Sequence, residues 1–133
     1  MNARSILVVE DSSEHRELIA ALLEPAGIEV SFAHNAEQAF AQLKTARPHL
    51  ILMDILLPGM SGLDLTSELR RTSVLDDVGI VALTALAMSG DEETARSAGC
   101  DGYITKPINI RTFSRLIRHL LDHSRGEMSP FRV

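Results

Sequence analysis

The chain has 133 residues, of which 45% are hydrophobic and 4% are aromatic, and its formal net charge is −5. This composition is typical of one globular domain with an aliphatic core and argues against a disordered or collagen-like chain. The net charge has the wrong sign for a surface that neutralises nucleic-acid phosphates. Cys100 is the single cysteine, so no internal disulfide can form, and every apolar run is too short to span a bilayer. We therefore expect a soluble cytoplasmic protein.

In the first half of the chain, short aliphatic runs alternate with segments of helical period. Three strands are predicted here, at 6–9, 28–33 and 49–53. The first is apolar on both faces, as expected of a strand that helices cover on both sides. Ser12 or Ser13 can cap a helix that Gly27 ends, and Asn35 can cap a second helix.

The second half of the chain continues the alternation. Two further strands are predicted, at 80–83 and 103–104. A third helix follows Gly62, and a fourth over 91–98 is stopped by Gly99. Asn109 is predicted to cap the last helix. The apolar stripe of that helix consists of Phe113, Leu116, Ile117, Leu120 and Leu121.

Five strands alternating with five helices predict an α/β fold, a doubly wound parallel sheet with helices on both faces. In such folds ligands bind at the carboxyl ends of the strands. Five polar residues fall there, namely Glu10, Asp11, Asp54, Thr84 and Lys106. Converging carboxylates repel one another unless a cation is present, and a sparse set of acids suits Mg²⁺. These residues therefore predict a magnesium site that could support phosphoryl transfer.

Each of these residues also has a purely structural interpretation. Asp11 could be only a helix cap, Lys106 only a surface lysine and Thr84 only a strand residue. Asp54 is harder to explain in this way, because it interrupts the apolar run 50–57, where an unpaired charge is destabilising.

The histidines show no spacing typical of a metal site and are interpreted as surface or strand-edge residues. They are His15, His34, His49, His119 and His123. The last two lie four residues apart and could share one helix face.

Four runs of this sequence resemble the receiver domain of bacterial two-component response regulators. They are ILVVEDS at 6–12, LMDILLPGMSGL at 52–63, LTALAMSGD at 83–91 and GYITKPI at 102–108. The runs occur in order at suitable spacings, and the similarity extends from about residue 5 to residue 121. The resemblance implies the flavodoxin-like (βα)5 fold, with five strands in the order 2-1-3-4-5.

The resemblance also implies a role for each acidic residue. Asp54 matches the aspartate that accepts a phosphoryl group from a phosphohistidine of a partner. Glu10 and Asp11 match the acidic pair that binds Mg²⁺, and the backbone carbonyl of Leu56 is expected to join Asp54 as a ligand. Glutamate in place of aspartate at position 10 is a known variant in this family.

The resemblance implies roles for several further residues. Thr84 and Lys106 are expected to contact phosphoryl oxygens, and Pro107 is expected to follow a cis peptide bond. Tyr103 matches the switch aromatic, which turns inward as Thr84 moves toward the phosphate. The positions that tune phosphate lifetime in receivers are the apolar Leu56 and Leu86, which offer no group to activate water and predict slow loss of the phosphate.

The resemblance implies a stand-alone receiver over 1–123 with a short tail over 124–133. Its partners would be a sensor histidine kinase or a histidine phosphotransfer protein, and a downstream protein. The segment 109–133 has a net charge of +3, and receivers commonly signal through helix four, strand five and helix five. We expect a downstream partner to bind there, although a solvated face is the simpler alternative. The arginines of that face are Arg111, Arg115 and Arg118.

Other functions stay open at the level of the sequence. The chain could be a receiver from a larger hybrid histidine kinase or multidomain regulator, or a receiver that is never phosphorylated. A haloacid-type phosphatase would place a second acid two residues after its nucleophile, whereas Glu10 and Asp11 are adjacent. We therefore expect a phosphoacceptor that assists its own chemistry and is not otherwise an enzyme. Whether phosphorylation drives dimerisation is not decided by the sequence.

Overall fold

One parallel sheet organises the chain in a computed structural model, which describes residues 4–72, 75–85 and 91–123. The strands are β1 (Ser5–Val9), β2 (Glu29–Ala33), β3 (Leu50–Asp54), β4 (Gly79–Thr84) and β5 (Gly102–Thr105). Their order in the sheet is β2-β1-β3-β4-β5, and every neighbouring pair is parallel. The predicted flavodoxin-like α/β fold and strand order are confirmed.

Within the described ranges, five α-helices cover the sheet on its two faces. They are α1 (Ser13–Leu23), α2 (Ala36–Leu43), α3 (Gly62–Arg70), α4 (Asp91–Ala98) and α5 (Phe113–Leu121). Alternate strand residues bury against opposite helices, so that Ile51 and Met53 pack with α2, α3 and α4. Leu50 and Leu52 pack with α1 and α5 on the other face. The sheet is apolar on both faces for this reason.

The first helix begins where Ser12 predicts and ends earlier than Gly27 predicts. The Ser12 hydroxyl accepts a hydrogen bond from the His15 amide. The α-helix stops at Leu23 and is followed by a 3₁₀ turn over Glu24–Ala26. Pro25 lacks an amide hydrogen to continue the helix, and Gly27, at φ 82°, ends only the short turn. The prediction that Gly27 ends the α-helix is wrong.

Asn109 does not cap α5, and that prediction is also wrong. Its side chain accepts a hydrogen bond from the Arg111 amide, and its carbonyl accepts from the amides of Thr112 and Phe113. These bonds form a separate turn, so α5 begins at Phe113, with Thr112 at the N-cap position.

Strand ends differ from the predicted ones by at most one residue. β3 extends to Asp54 and β4 to Thr84, so both polar side chains project from strand backbone. The helix predicted over 91–98 is confirmed at both ends, and Gly99 follows it at φ 113°. Among the described residues, no helix is long and apolar enough to cross a membrane. Leu86 and the segment 124–133 lie outside the described residues.

Candidate functional site

The carboxyl ends of four strands bring the predicted polar residues together. Glu10 directly follows β1, and its amide donates to the Ala33 carbonyl at the end of β2. Asp54 is the last residue of β3 and Thr84 the last of β4. Lys106 follows β5, and its amide donates to the Thr84 carbonyl over 2.7 Å. Because the strands are parallel, these residues share one edge of the sheet.

Three acids form a cluster at this edge. Each of Glu10, Asp11 and Asp54 offers a carboxylate oxygen, and these three oxygens lie within 4.8 Å of one another. Glu10 is 1% exposed and Asp54 is 5% exposed, whereas Asp11 is exposed to solvent. Buried carboxylates at such separations need positive charge nearby. The cluster could hold a divalent cation with oxygen ligands.

The ammonium group of Lys106 lies between the two buried acids. Its Nζ is 3.1 Å from Glu10 Oε1 and 3.5 Å from Asp54 Oδ2. The Lys106–Pro107 peptide bond is cis, as predicted. Lys106 therefore supplies positive charge to the cluster when no other cation is present.

The two buried acids differ in their affinity for protons. Burial raises the pKa of Asp54 to about 6, and the hydrogen bond and negative charge of Glu10 act in the same direction. Burial would also raise the pKa of Glu10, but hydrogen bonds from Asp54 and Lys106 and the lysine charge hold it below its usual value. Asp54 is thus the member of the pair that takes up a proton first.

His15 also contacts the acid cluster, although the sequence interpretation placed it on the surface. Its Nδ1 lies 3.1 Å from Glu10 Oε1 and 3.3 Å from Lys106 Nζ. The side chain is 46% exposed, so it lies at the rim of the cluster. The available signal was position: His15 is in the first turn of α1, which begins at the edge where β1 delivers Glu10.

Gly62 is a second site residue, which the sequence interpretation named only as the residue before the third helix. A Cβ atom at this position would lie 2.0 Å from the Asp54 carbonyl oxygen and 2.9 Å from Ile55 Cα. The Gly62 amide donates to the Ile55 carbonyl over 2.8 Å, and the Ser61 side chain caps α3. The N-terminus of α3 therefore packs directly on the backbone of Asp54, at a separation that only glycine permits.

The loop after Asp54 supports its carboxylate through the backbone. The Leu56 amide donates to Asp54 Oδ1 over 3.1 Å, while the Leu56 side chain is 59% exposed. The exposed Leu56 side chain is apolar, so it offers no polar group to the Asp54 carboxylate.

The two predicted switch residues are both buried. Thr84 is 1% exposed, and the Tyr103 ring is completely buried in the layer between the sheet and α2, α3 and α4. In the register of β4 and β5, Tyr103 lies opposite Ala82, two residues before Thr84. Tyr103 therefore occupies the inward position in this structure.

The three arginines predicted to form one face are all exposed, namely Arg111, Arg115 and Arg118. The Arg118 guanidinium donates to the Ala26 carbonyl over 3.1 Å, in the 3₁₀ turn that follows α1. The guanidinium of Arg118 is therefore turned toward the connection after α1.

Comparisons with known proteins agree on one family. The family model described as response regulator receiver domain matches residues 6–118. The polar-differentiation response regulator DivK of Brucella anthropi is 40% identical over 118 residues, which cover 89% of this chain and 96% of the relative.

Solved structures agree with the sequence comparisons. The chemotaxis response regulator CheY4 of Vibrio cholerae superposes with a TM-score of 0.83 at 26% identity, covering 90% of this chain and 99% of that one. The receiver domain of a sensor histidine kinase from Pseudomonas aeruginosa gives a TM-score of 0.82 at 32% identity, covering 92% and 100%. That structure contains a magnesium ion coordinated in its active-site cleft.

Proposed function

Because the chain belongs to the response regulator receiver domain family, we propose that Asp54 accepts a phosphoryl group from a partner's phosphohistidine. The donor would be a sensor histidine kinase or a histidine phosphotransfer protein, and the receiver unit would span 1–123. The observation that carries the proposal is the buried Asp54 carboxylate beside Glu10 and Lys106 at the open edge of the sheet.

Of the two buried acids, Asp54 has the less engaged carboxylate and is therefore the better acceptor. Both carboxylate oxygens of Glu10 are engaged, Oε2 by the Ser12 amide and Oε1 by Lys106 and His15. Oδ1 of Asp54 accepts from the Leu56 amide, whereas Oδ2 faces the Lys106 ammonium at 3.5 Å. Oδ2 is therefore the proposed nucleophile.

The donor set fits Mg²⁺, since it consists of carboxylate oxygens on a partly exposed edge where water can complete an octahedron. Glu10, Asp11, Asp54 and the Leu56 carbonyl would hold the ion. When bound, it would neutralise negative charge on the cluster and on phosphoryl oxygens. The magnesium ion in the Pseudomonas aeruginosa receiver supports this assignment.

In the transfer step, Asp54 Oδ2 attacks phosphorus and the bond from phosphorus to the donor's imidazole nitrogen breaks. The imidazole keeps the electron pair of that bond, and an acyl phosphate forms on Asp54. Lys106 moves from Glu10 Oε1 to pair with a phosphoryl oxygen, and the Thr84 hydroxyl donates to another. This chemistry requires mainly positioning and charge stabilisation, which these side chains supply.

The signal would pass from Thr84 to Tyr103 and on to the surface of α4, β5 and α5. The exposed Arg111 and Arg115 lie next to that surface and would favour an acidic downstream partner, with Arg118 at its margin. The apolar side chains at Leu56 and Leu86 provide no base for an attacking water, so the phosphoryl group is expected to be lost slowly.

Incubation with acetyl phosphate tests the proposed function directly. We expect intact-protein mass to show one phosphoryl adduct that requires Mg²⁺ and is absent from Asp54→Asn. Asp64→Asn, in the first turn of α3, is a suitable control and should be labelled like the wild type. An unlabelled, folded wild-type protein would contradict the proposal, as would an adduct that persists in Asp54→Asn.

Asp54→Asn is also expected to stabilise the metal-free protein at neutral pH. The pKa of Asp54 rises from an ordinary 3.8 to about 6 on folding, so the folded state binds the proton more tightly. The free energy of unfolding of the wild type therefore falls by roughly 1 to 3 kcal/mol as the pH rises from about 4 to 6. Urea unfolding in the presence of a chelator should show a higher free energy of unfolding for Asp54→Asn than for the wild type at pH 7.5, and no difference at pH 4.

Two comparisons check the origin of that stabilisation. Glu17→Gln, on the exposed side of α1, should show no comparable gain at pH 7.5. Saturating Mg²⁺ should stabilise the wild type more than Asp54→Asn. A variant that is no more stable than the wild type at pH 7.5 would show that ionised Asp54 is not destabilising.

A further inference from the structure

The Nδ1 atom of His15 lies between two groups of opposite hydrogen-bonding character. It is 3.1 Å from Glu10 Oε1, which only accepts, and 3.3 Å from Lys106 Nζ, which only donates. The ammonium nitrogen and the carboxylate oxygen are themselves 3.1 Å apart. A ring nitrogen either carries a proton or offers a lone pair, so Nδ1 can bond only one of these two partners at a time.

The position of Lys106 decides which partner His15 can bond. In this structure the ammonium contacts both Glu10 Oε1 and Asp54 Oδ2. In the proposed function it leaves Glu10 and pairs with a phosphoryl oxygen. The Glu10 side chain is 1% exposed, and a buried carboxylate that loses a charged donor is destabilised. A second donor beside Oε1 would offset that loss.

The first turn of α1 holds the imidazole beside Oε1. The Ser12 hydroxyl accepts from the His15 amide, and the Ser12 amide donates to Glu10 Oε2 over 3.3 Å. The Arg16 guanidinium donates to the Glu10 carbonyl over 3.0 Å. None of these bonds involves Lys106, so they keep His15 and Glu10 together when the lysine moves.

We propose that His15 is a positioning residue, which donates its Nδ1 proton to Glu10 Oε1 in place of Lys106 once the lysine pairs with the phosphoryl group. This inference rests on the proposed function, because it requires Lys106 to leave Glu10. With the Ser12 amide on Oε2 and His15 on Oε1, the carboxylate keeps its orientation, and each oxygen retains a lone pair for the divalent cation. Hydrogen bonds that orient a metal-binding carboxylate in this way strengthen metal binding.

Nitrogen NMR of protein labelled with ¹⁵N-histidine tests where the imidazole proton lies. Beryllofluoride with Mg²⁺ serves as a stable analogue of the acyl phosphate on Asp54. We expect Nδ1 of His15 to carry a hydrogen-bonded proton in the wild-type protein loaded with this analogue. The signal is assigned by its absence from His15→Asn.

Two substitutions at position 15 separate hydrogen bonding from packing. Asparagine places an amide N–H as many bonds from the backbone as histidine Nδ1, whereas leucine has an apolar group there. The Mg²⁺ concentration needed for half-maximal beryllofluoride binding should rise about tenfold in His15→Leu and less than about twofold in His15→Asn. Mg²⁺ binding without beryllofluoride should change little in either variant, because Lys106 then remains at Glu10. His119→Leu, exposed on α5, is the control and should behave like the wild type.

The outcomes separate this inference from the function on which it rests. A loaded wild-type protein whose His15 Nδ1 carries no proton would overturn the inference and leave the proposed function intact. Equal Mg²⁺ requirements for His15→Leu and the wild type would also overturn it. Failure of beryllofluoride to bind the wild type in Mg²⁺ would contradict the proposed function together with this inference.

Discussion

Gly62→Ala is expected to slow phosphorylation of Asp54 on the order of 100-fold and to lower the free energy of unfolding by about 3 kcal/mol. The added Cβ would stand 2.0 Å from the Asp54 carbonyl oxygen, which belongs to strand backbone and cannot rotate away. Either α3 or the end of β3 must move by about 1 Å. A displacement of that size at the nucleophile is what phosphoryl transfer tolerates least.

Gly59→Ala is the matched control, because it adds the same atom three residues earlier, in the loop before α3. No atom lies within 4 Å of a Cβ at Gly59, although its φ of 81° means that alanine is strained there by about 1 kcal/mol. Urea unfolding and the initial rate of acetyl phosphate labelling should both separate the two variants. Equal labelling rates for Gly62→Ala and the wild type would show that the contact with Asp54 is not restrictive.

Arg70→Met is expected to reduce stability by about 3 to 5 kcal/mol, a large part of the total for a domain of this size. The guanidinium of Arg70 is 11% exposed, and it donates to the carbonyls of Gly99, Leu75 and Val78 at 2.8 to 2.9 Å. It also pairs with Asp101 Oδ2 at 2.5 Å. Methionine would fill much of the volume but leave these carbonyls and a buried carboxylate without that donor.

The Arg70 network also connects the elements that carry the proposed switch. Asp101 Oδ2 accepts from the Ile80 amide, and the Asp101 amide donates to the Ile80 carbonyl over 2.7 Å. Arg70 therefore joins α3 to the end of α4 and to the first pairing of β4 with β5. The loss should be visible as a lower midpoint in urea and in thermal unfolding.

Arg71→Met provides the control for charge and side-chain length. Arg71 is 78% exposed, and it makes an ion pair with Glu68 at 3.5 Å within α3. Exposed pairs of this kind contribute little, so stability should change by less than about 1 kcal/mol. If the two variants unfolded at the same midpoint, the buried network around Arg70 would not be stabilising.

Hydrophobic period and turn residues were sufficient to predict the order of strands and helices, because each helix and strand carries its own local pattern. The same alternation predicted which ends of the strands hold Glu10, Asp11, Asp54, Thr84 and Lys106. Parallel strands joined by right-handed crossovers necessarily bring those ends to one edge. The predicted end of the first helix at Gly27 was wrong, because Pro25 interrupts that helix earlier. The predicted start of the last helix at Asn109 was wrong, because the Asn109 side chain forms a separate turn before the helix begins.

The remaining site residues depend on distances between parts of the chain that local patterns do not describe. His15 is one of five histidines, and it differs from the others only because α1 starts over Glu10. Gly62 is one of eight glycines, and its requirement arises from the approach of α3 to the backbone of Asp54. Arg70 acquires its partners from residues up to 31 positions away. Contacts of this kind arise only when the layers pack, because packing sets which atoms approach within bonding distance.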